Sequence, residues 1–400
     1  MDTPSTILQS LILPSFTDEL INIRRELHQI PEPGFAEAET SRFIAETLTK
    51  CNIPCRTGIA KTGIIAEIPA NDPQHKPTIA LRADIDALPL EERTGLPFSS
   101  KHPGYFHACG HDIHATCLIG ALILLNEHKY ELPVNVRAIF QPAEETLPGG
   151  ASAMIAEGAL ENPKVSAIFG LHCDPYIPTG TIAVKPGPMM AATARFFIRI
   201  IGKGGHAARP FHCIDPIPVA AQVITALQTV PSRMIDPLKP CVVSVTKINA
   251  GTAENIIPQE AVLPGTARAL DPETAELIPK KIESLIKGIV SSYGAEYEFQ
   301  YKYGAPVLVN DEKMTRFVQA VAKNILGGDA VLPFDATFGG EDFAEYLKIV
   351  PGCFFRLGCL KKGTEPIPLH NETFSPDETA LPYGAAILTE LALQFDKIIH

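Results

Sequence analysis

The chain has 400 residues, of which 46% are apolar and 20% are charged, and its formal net charge is −11. This length allows two or three domains with a substantial apolar core. The negative charge, with no run of more than two basic residues, argues against nucleic acid or an anionic membrane as a partner.

The N-terminal stretch carries one acidic residue and no basic one before Phe16, and polar residues and a proline interrupt its apolar run. This pattern argues against a signal peptide, and no apolar run reaches the length that spans a bilayer. The nine cysteines are odd in number and scattered, which is typical of reduced thiols. We therefore expect a cytoplasmic protein.

Apolar residues at helical spacing predict two helices near the N-terminus, at 16–30 and 37–50. Short apolar runs then alternate with helical stretches. They predict strands at 63–68, 78–86, 134–141 and 166–172, and helices at 113–128 and 150–160. This alternation is typical of an α/β fold with a sheet that is at least partly parallel.

The pattern changes near Pro186–Pro188. The next segment predicts strands at 194–201, 241–249, 260–270 and 295–303, and helices at 215–230 and 272–290. This is the content of an α+β sandwich of about a hundred residues. A helix at 311–326 and a strand near 353–357 then resume the α/β pattern. We predict that 189–301 is a domain inserted into a discontinuous one, 1–188 and 302–400.

Four separate segments carry side chains of the kind that bind metal ions. Two of them follow predicted strands, where α/β sheets place their ligands. A thiol, imidazoles and carboxylates together favour zinc, manganese, nickel or cobalt over magnesium or calcium. The residues are Cys109 and His111, Glu144 and Glu145, His172, and His370.

The adjacent residues Glu144 and Glu145 can have two different roles. One can bind metal while the other takes a proton from water and passes it to the leaving amine. Each residue also has a plainer interpretation, as a structural histidine, a solvated loop or a small buried cysteine. Cys109 acting as a nucleophile with His111 as its base is a further alternative, but it gives the other four residues no role. Spacing alone does not decide between a metal site and unrelated residues.

Longer stretches carry more information, and they include LRADIDALPLEERTGLPFSSKHPGYFHACGHDIHA, FQPAEETLPGGASAMI, IFGLH, GKGGHAARP, NIIPQEAVLPGTAR, FGGEDFAEY and LHNETF. These stretches resemble the M20 metallopeptidase superfamily, in order, from about residue 20 to residue 390. The branch that they resemble most is that of the aminoacylase-like amidohydrolases, which includes hippurate hydrolase, N-acyl-amino-acid amidohydrolase and indoleacetyl-amino-acid hydrolase.

The resemblance implies a catalytic domain with two divalent transition-metal ions (Zn, Mn, Ni or Co) and an inserted lid domain, through which a homodimer forms. It implies Glu144 as the general base. It places Asp84 behind the ligands, where it orients a histidine, whereas Asp86 keeps the alternative of a plain loop carboxylate. The implied metal ligands are Cys109, His111, Glu145, His172 and His370.

Three residues of the lid segment also match the family. His206 would stabilise the oxyanion that forms in the transition state. Asn255 and Arg268 would hold the carboxylate of the substrate, for which a guanidinium is well shaped. The chain departs from the family's pattern at Ala194, where relatives often carry an acidic residue, and at Ala250, where a glycine is common. These departures bear on substrate preference.

The resulting prediction is a metal-dependent amidohydrolase that cleaves N-acyl-amino acids to a carboxylic acid and a free amino acid. A metallo-dipeptidase or aminopeptidase, a catalytically dead binding protein and a thiol hydrolase remain as alternatives. Within HACGHDIHA, we expect Asp112 and His114 to begin a helix, where an acidic residue suits the N-terminus. His107 is expected either behind the ligands or in a plain loop.

Overall fold

The computed structural model of the protein describes residues 14–147 and 149–399. The α-helices of this part are α1 (Pro14–His28), α2 (Ala38–Lys50), α3 (His111–Glu127), α4 (Gly150–Ala156), α5 (Pro216–Leu227), α6 (Pro272–Ser292), α7 (Glu312–Leu326), α8 (Ala344–Leu347), α9 (Leu381–Leu393) and α10 (Asp396–Ile399). The strands are β1 (Cys55–Ile59), β2 (Gly63–Ile68), β3 (Thr78–Asp84), β4 (Asn135–Gln141), β5 (Val165–Pro178), β6 (Ile182–Ala183), β7 (Gly187–Met190), β8 (Ala192–Ile201), β9 (Gly205–His206), β10 (Cys241–Val245), β11 (Asn249–Ala250), β12 (Ile256–Ile257), β13 (Glu260–Ala269), β14 (Glu296–Tyr303), β15 (Leu308–Asn310), β16 (Val331–Leu332) and β17 (Gly352–Leu360).

The chain divides into two compact units. The first comprises the described residues up to Gly187, together with Val309–Asp335 and the part from Glu345 onwards. The second comprises Pro188–Leu308 and Ala336–Ala344. The short segment 336–344 thus belongs with the second unit, whereas the sequence-based boundaries placed it with the first. Residues 336–344 belong to the second unit because of long-range contacts, such as the bridge between Met190 and Thr337. A local sequence pattern does not predict such contacts.

An eight-stranded sheet, in the order β1-β2-β4-β3-β5-β17-β6-β16, forms the centre of the first unit. Its middle pairs, β4–β3, β3–β5 and β5–β17, are parallel, whereas β1–β2 and β2–β4 are antiparallel. Strands β3 and β4 are buried along their whole length, as expected of parallel strands covered on both faces. The predicted fold class, a mostly parallel sheet flanked by helices, is confirmed.

Helix α3 is the central helix of this unit, and it packs against α1 and α9. It is apolar on nearly every side, which is typical of a helix surrounded by protein. Gly120 allows the close approach, because a Cβ there would lie 2.8 Å from Leu20 of α1 and 3.0 Å from Ala385 of α9. The middle of α3 is therefore held closely between α1 and α9.

Strands β4, β3 and β5 are neighbours and run parallel, so their carboxyl ends meet at one edge of the sheet. Asp84 and Gln141, the last residues of β3 and β4, are paired there. His172 follows two residues after Gly170, the last partner of β3 on β5. Strand β5 does not end at His172 as predicted, because β17 continues to pair with it as far as Pro178. This edge is where the candidate site lies.

The second unit is built on an antiparallel sheet with the order β10-β13-β8-β14, to which β11 adds at β13. Buried and half-buried residues alternate along β13, as expected when one face of a sheet is covered. Helices α5 and α6 cover that face, and a separate apolar core lies between helices and sheet. This is the predicted α+β sandwich.

None of the helices in the described part of the chain is both long enough and apolar enough to cross a membrane.

Candidate metal centre

The six residues predicted to bind metal or act beside it all lie in the first unit, at or near the carboxyl edge of the sheet. Cys109 and His111 stand at the start of α3, the two glutamates lie between β4 and α4, and His172 is part of β5. His370 lies in the loop after β17, and its backbone N–H donates to the carbonyl oxygen of Ala108 at 2.8 Å. Four separate segments thus converge on Cys109.

His111 is held in one orientation by Asp86. Its Nδ1 lies 2.9 Å from the backbone oxygen of Asp86 and 3.1 Å from Oδ1 of the same residue. Both are acceptors, so Nδ1 carries a hydrogen and donates it. The other nitrogen, Nε2, is buried and makes no hydrogen bond among the described residues. It is therefore the nitrogen that can bind a cation.

His172 is oriented in the same way. Its Nδ1 donates to the backbone oxygen of Cys173 at 2.7 Å, which leaves Nε2 as the coordinating nitrogen. This Nε2 lies 3.4 Å from Sγ of Cys109. The ligand atoms of Cys109, His111 and His172 all lie within 4.8 Å of one another, and all three residues are buried.

A second group of three shares the same thiol. Cys109, Glu145 and His370 also place one ligand atom each within 4.8 Å of the others. Nε2 of His370 lies 3.1 Å from Oε1 of Glu145. The backbone of His370 has a φ of +62°, a left-handed conformation that is costly for any residue but glycine and that occurs often at functional sites. Cys109 is thus common to both groups.

Glu144 stands beside the two groups without belonging to either. It shares a third group, again within 4.8 Å, with His111 and Glu145. Its side chain is half-buried, so it is accessible from outside the sheet edge. This is the placement that a proton acceptor next to a metal pair requires.

The donor atoms suit a pair of transition-metal cations. One thiol, three imidazoles and a carboxylate match zinc, manganese, cobalt or nickel better than magnesium or calcium. The buried Nε2 of His111, which has no hydrogen-bond partner among the described residues, would be satisfied by a cation. Contacts with Cys109 and Glu145 raise the pKa of His370 to about 10, and burial raises the pKa of Cys109. A cation displaces these protons, so its binding is coupled to proton release.

His114 lies close to the same atoms, but its nitrogens are already used. Its Nε2 accepts a hydrogen bond from the backbone N–H of Cys173 at 2.8 Å, so its Nδ1 carries the hydrogen that Asp84 accepts at 2.6 Å. Burial lowers the pKa of His114, in keeping with a neutral ring. His114 therefore has no lone pair to offer a cation, although it begins α3 as predicted.

Asp86, and not Asp84 as expected, is the carboxylate that contacts the ring of His111. Asp84 binds His114 and Arg82, and it lies 3.9 Å from Nε2 of His111 without a hydrogen bond to it. Asp86, for which a plain loop carboxylate was the alternative, orients His111 and also accepts from the backbone N–H of Glu145 at 3.0 Å. The two carboxylates are two residues apart, and only the path of the chain after β3 decides which one faces the ligands.

Two other residues of HACGHDIHA are buried beside the centre. Asp112 does begin α3, but its carboxylate forms an ion pair with Arg24 and a hydrogen bond with His28, both of α1, rather than facing solvent. His107 is 2% exposed, and neither of its ring nitrogens has a hydrogen-bond partner among the described residues. Burial lowers the pKa of His107 to about 3, so the ring is neutral. It belongs to the packed surroundings of the site, not to a surface loop.

Three predicted substrate residues lie in the second unit. His206 is exposed, and its Nδ1 accepts from the backbone N–H of Ala208 at 3.1 Å, so the neutral ring carries its hydrogen on Nε2. The pairing of β9 with β12 brings Asn255 next to it, and the backbone oxygen of Asn255 accepts from Ala207. Arg268 lies on β13, and no hydrogen bond joins it to His206 or Asn255 among the described residues.

Residues 80–394 match the sequence profile described as peptidase family M20/M25/M40. The chain belongs to this family. It is 43% identical over 380 residues to the N-acetylcysteine deacetylase of Bacillus subtilis, a match that covers 95% of this chain and 97% of the relative. It is 39% identical over 397 residues to the IAA-amino acid hydrolase ILR1-like 4 of Arabidopsis thaliana, covering 98% and 89%.

A solved Bacillus subtilis structure, described as a dinuclear metal binding peptidase from the M20 family, superposes with a TM-score of 0.83. It is 40% identical, and the match covers 95% of this chain and 98% of that one. Membership of the M20 family makes this protein a hydrolase that acts on amide bonds. The predictions of an enzyme, of its reaction type and of its family are confirmed.

Proposed function

We propose that this M20 hydrolase cleaves the amide bond of N-acyl-amino acids, giving a carboxylic acid and a free amino acid, with two divalent transition-metal ions. The observation that carries the proposal is the position of Cys109. Its thiol belongs to both groups of three ligand atoms, so Cys109 would be available to a cation held by either group. The five ligands are Cys109, His111, Glu145, His172 and His370.

When bound, the two cations supply Lewis-acid chemistry, which polarises the amide carbonyl and makes water easier to deprotonate. Glu144 then acts as the proton carrier. Its carboxylate takes a proton from the attacking water and delivers it to the leaving nitrogen, so that an amine departs instead of an amide anion. The position of Glu144, within 4.8 Å of the ligand atoms of His111 and Glu145, supports this role.

The amino-acid half of the substrate carries a carboxylate, for which we propose Arg268 and Asn255. Arg268 is half-buried, and it forms no ion pair within the described residues. Burial and the neighbouring Arg195 both lower the pKa of Arg268, which means that an anion beside it is favoured. The names of the relatives, an N-acetylcysteine deacetylase and an IAA-amino acid hydrolase, support a substrate of this class.

We assign His206 to the oxyanion. Because its Nδ1 already accepts a hydrogen bond, its Nε2–H is the donor available to negative charge that develops on the carbonyl oxygen. Removing it is expected to lower kcat more than it raises KM, since the charge exists only in the transition state. A substrate titration of His206→Ala measures this difference.

A peptidase that accepts free dipeptides is the second candidate. It is favoured by the description of the solved M20 relative as a peptidase. The two activities differ in whether the acyl group of the scissile amide carries a free α-amine, as in a dipeptide, or carries none, as in an N-acetyl-amino acid. A direct comparison of an N-acetyl-amino acid with the matching glycyl-amino acid distinguishes them.

We also propose a homodimer formed through the second unit and a reducing, cytoplasmic location. The second proposal is supported by the nine cysteines, all of which are unpaired thiols. The dimer is tested by sedimentation equilibrium of the purified protein, for which a mass near 43 kDa instead of twice that value would contradict it.

The proposed function is tested by a substrate panel with the metal-free protein and added manganese, zinc, cobalt or nickel. The panel contains acetyl-, benzoyl- and indoleacetyl-amino acids alongside dipeptides. We expect metal-dependent release of the free amino acid from at least one N-acyl series, with lower kcat/KM for the dipeptides. Turnover that survives complete removal of metal would contradict the proposal and would favour a thiol mechanism. Burial already argues against that mechanism, because it raises the pKa of Cys109 when a nucleophile needs it lowered.

A further inference from the structure

Glu37 is a buried carboxylate for which the ligand set and the general base give no role. It precedes α2 directly, at the position where an acidic side chain commonly caps a helix. It makes no capping hydrogen bond, and its side chain is completely buried. A buried carboxylate that does not serve its own helix needs another partner.

The partner is the loop that carries the general base. Oε1 of Glu37 accepts from the backbone N–H of Ala143 at 2.8 Å, and Oε2 accepts from the hydroxyl of Thr62 at 2.5 Å. Ala143 immediately precedes Glu144 and has a φ of +55°, in the left-handed region that alanine rarely adopts. The hydrogen bond that Ala143 donates to Glu37 therefore holds the strained backbone of Ala143, one residue before the general base.

A second carboxylate holds the other side of Glu144. The backbone N–H of Glu145 donates to Oδ2 of Asp86 at 3.0 Å. The amides on both sides of Glu144 are thus each bound to a buried carboxylate, one directly before α2 and one two residues after β3. Asp86 also touches the candidate ligand His111, whereas neither hydrogen-bond partner of Glu37 is a ligand.

The surrounding backbone leaves this loop little freedom. The carbonyl of Ala143 accepts from the N–H of Gly150 at 3.0 Å. Gly34, three residues before Glu37, lies so close that a Cβ there would be 2.9 Å from Cα of Ala143 and 2.6 Å from Oγ1 of Thr146. Fixing a loop between such contacts is how a rigid scaffold positions a catalytic side chain.

We propose that Glu37 is a positioning residue for Glu144: by binding the amide of Ala143, it holds the loop in the conformation that directs the Glu144 carboxylate. The proposal rests on the proposed role of Glu144 as the general base. It predicts that kcat depends on the length of the Glu37 side chain and does not depend on its charge. Small displacements of a catalytic group lower kcat strongly, while the binding of metal and substrate continues.

Three substitutions test this in the full-length, metal-loaded protein. Glu37→Gln keeps the oxygen that accepts from Ala143, and its amide can donate to the hydroxyl of Thr62. Because burial raises the pKa of Glu37, the neutral side chain also avoids a desolvation cost. Glu37→Asp keeps the charge but shortens the reach. Thr62→Val, the matched control, removes the other hydrogen bond and leaves the one to Ala143.

We expect kcat within about threefold of wild type for Glu37→Gln and Thr62→Val, and a loss of about tenfold or more for Glu37→Asp, with KM and metal content unchanged. The proposal is overturned if Glu37→Asp retains wild-type kcat, or if its loss of kcat is matched by a loss of bound metal. If Glu37→Asp does not fold, kcat of Glu37→Gln decides: a tenfold loss overturns the proposal, because the length of the side chain and the oxygen that accepts from Ala143 are both kept. A Glu144→Gln variant with full activity would instead refute the proposed function, so the two failures are distinguishable.

Discussion

Gly110, which separates the candidate ligands Cys109 and His111, leaves no space for a side chain. Its φ is +81°, and a Cβ there would lie 2.3 Å from Sγ of Cys173. We expect Gly110→Ala to lower the free energy of unfolding by about 2–4 kcal/mol, because left-handed backbone and steric overlap both add to the cost. Urea denaturation of the metal-free protein measures it.

The overlap and the backbone cost can be separated with a second substitution. Cys173→Ala removes the sulfur that a Cβ at Gly110 would meet. The double variant should therefore lose less stability than the sum of the two single variants, with a favourable coupling of about 1–2 kcal/mol. If the two single losses of stability simply add in the double variant, steric overlap with Cys173 is not what destabilises Gly110→Ala.

His111 and His114 lie one helical turn apart, but the hydrogen bonds give them different roles. His111 has a nitrogen available for a cation, whereas both nitrogens of His114 are used by Asp84 and Cys173. We expect His111→Ala to lose bound metal. His114→Ala should keep two ions per chain and lose about 1–3 kcal/mol of stability, since it leaves a buried amide unpaired. Elemental analysis of both variants checks this, and equal metal loss in the two would contradict the assignment.

For single residues, the sequence shows which side chains are candidates for the site, but it does not show which of them are in contact. Thiol, imidazole and carboxylate chemistry is visible in the residues themselves, but the five-ligand set could be proposed only because longer stretches of the sequence resemble the M20 family. Which of Asp84 and Asp86 faces His111 depends on how the chain turns after β3. Glu37 could not be found from sequence, because an acidic residue before a helix looks like a cap and its partner Ala143 is distant in the chain.

At the scale of elements, a buried ionic network joins α1 to α3. Arg24 and His28 of α1 both contact the carboxylate of Asp112, which is the second residue of α3. His28 also contacts Glu92, whose side chain is only 3% exposed. The network thus fixes the start of α3, and with it the neighbouring ligands, against the first helix.

Glu92 gives this network a pH dependence. Although burial alone would raise it, hydrogen bonds from His28, the backbone of Ser100 and Thr94 lower the pKa of Glu92 from 4.5 to about 2. A lowered pKa stabilises the fold above pH 4.5, and this contribution is lost as pH falls from 4.5 to 2. It amounts to about 3 kcal/mol when complete.

We therefore expect Glu92→Gln to lower the free energy of unfolding by about 3 kcal/mol at pH 6 and by about half as much at pH 3. Urea denaturation at the two pH values measures the difference. Glu19→Gln, an exposed carboxylate of α1, is the control and should change little at either pH. A penalty for Glu92→Gln that does not shrink with acid would contradict the assigned pKa.

Many elements could be predicted from the sequence pattern, because strands such as β3 and β4 are short runs rich in apolar residues and the amphipathic helices have apolar residues along one face. Among the exceptions are β1 and α9, which were not predicted, and β5, which extends six residues beyond His172 to Pro178. In the sequence of that extension, residues 173–178, apolar and polar residues do not alternate regularly. It exists because β17 pairs with it, and pairing between distant segments is not encoded locally.

At the scale of the whole molecule, the two units have separate apolar cores, and all five candidate ligands belong to the first. A cation that binds only the folded first unit stabilises that unit by mass action. We expect scanning calorimetry to show that chelation lowers the midpoint of one transition by at least several degrees and leaves the other in place. An equal shift of both transitions, or no shift, would contradict the assignment of the ligands to one unit.

In the proposed mechanism, Cys109 and its four partners hold the metals while Glu144 moves the proton. The most direct test is Glu144→Gln, with metal content and turnover of an N-acyl-amino acid measured on the same preparation. We predict two bound ions per chain, as in wild type, with kcat lowered by about 10²–10⁴-fold, the usual contribution of a general base. Loss of bound metal in this variant, or turnover at the wild-type rate, would contradict the account.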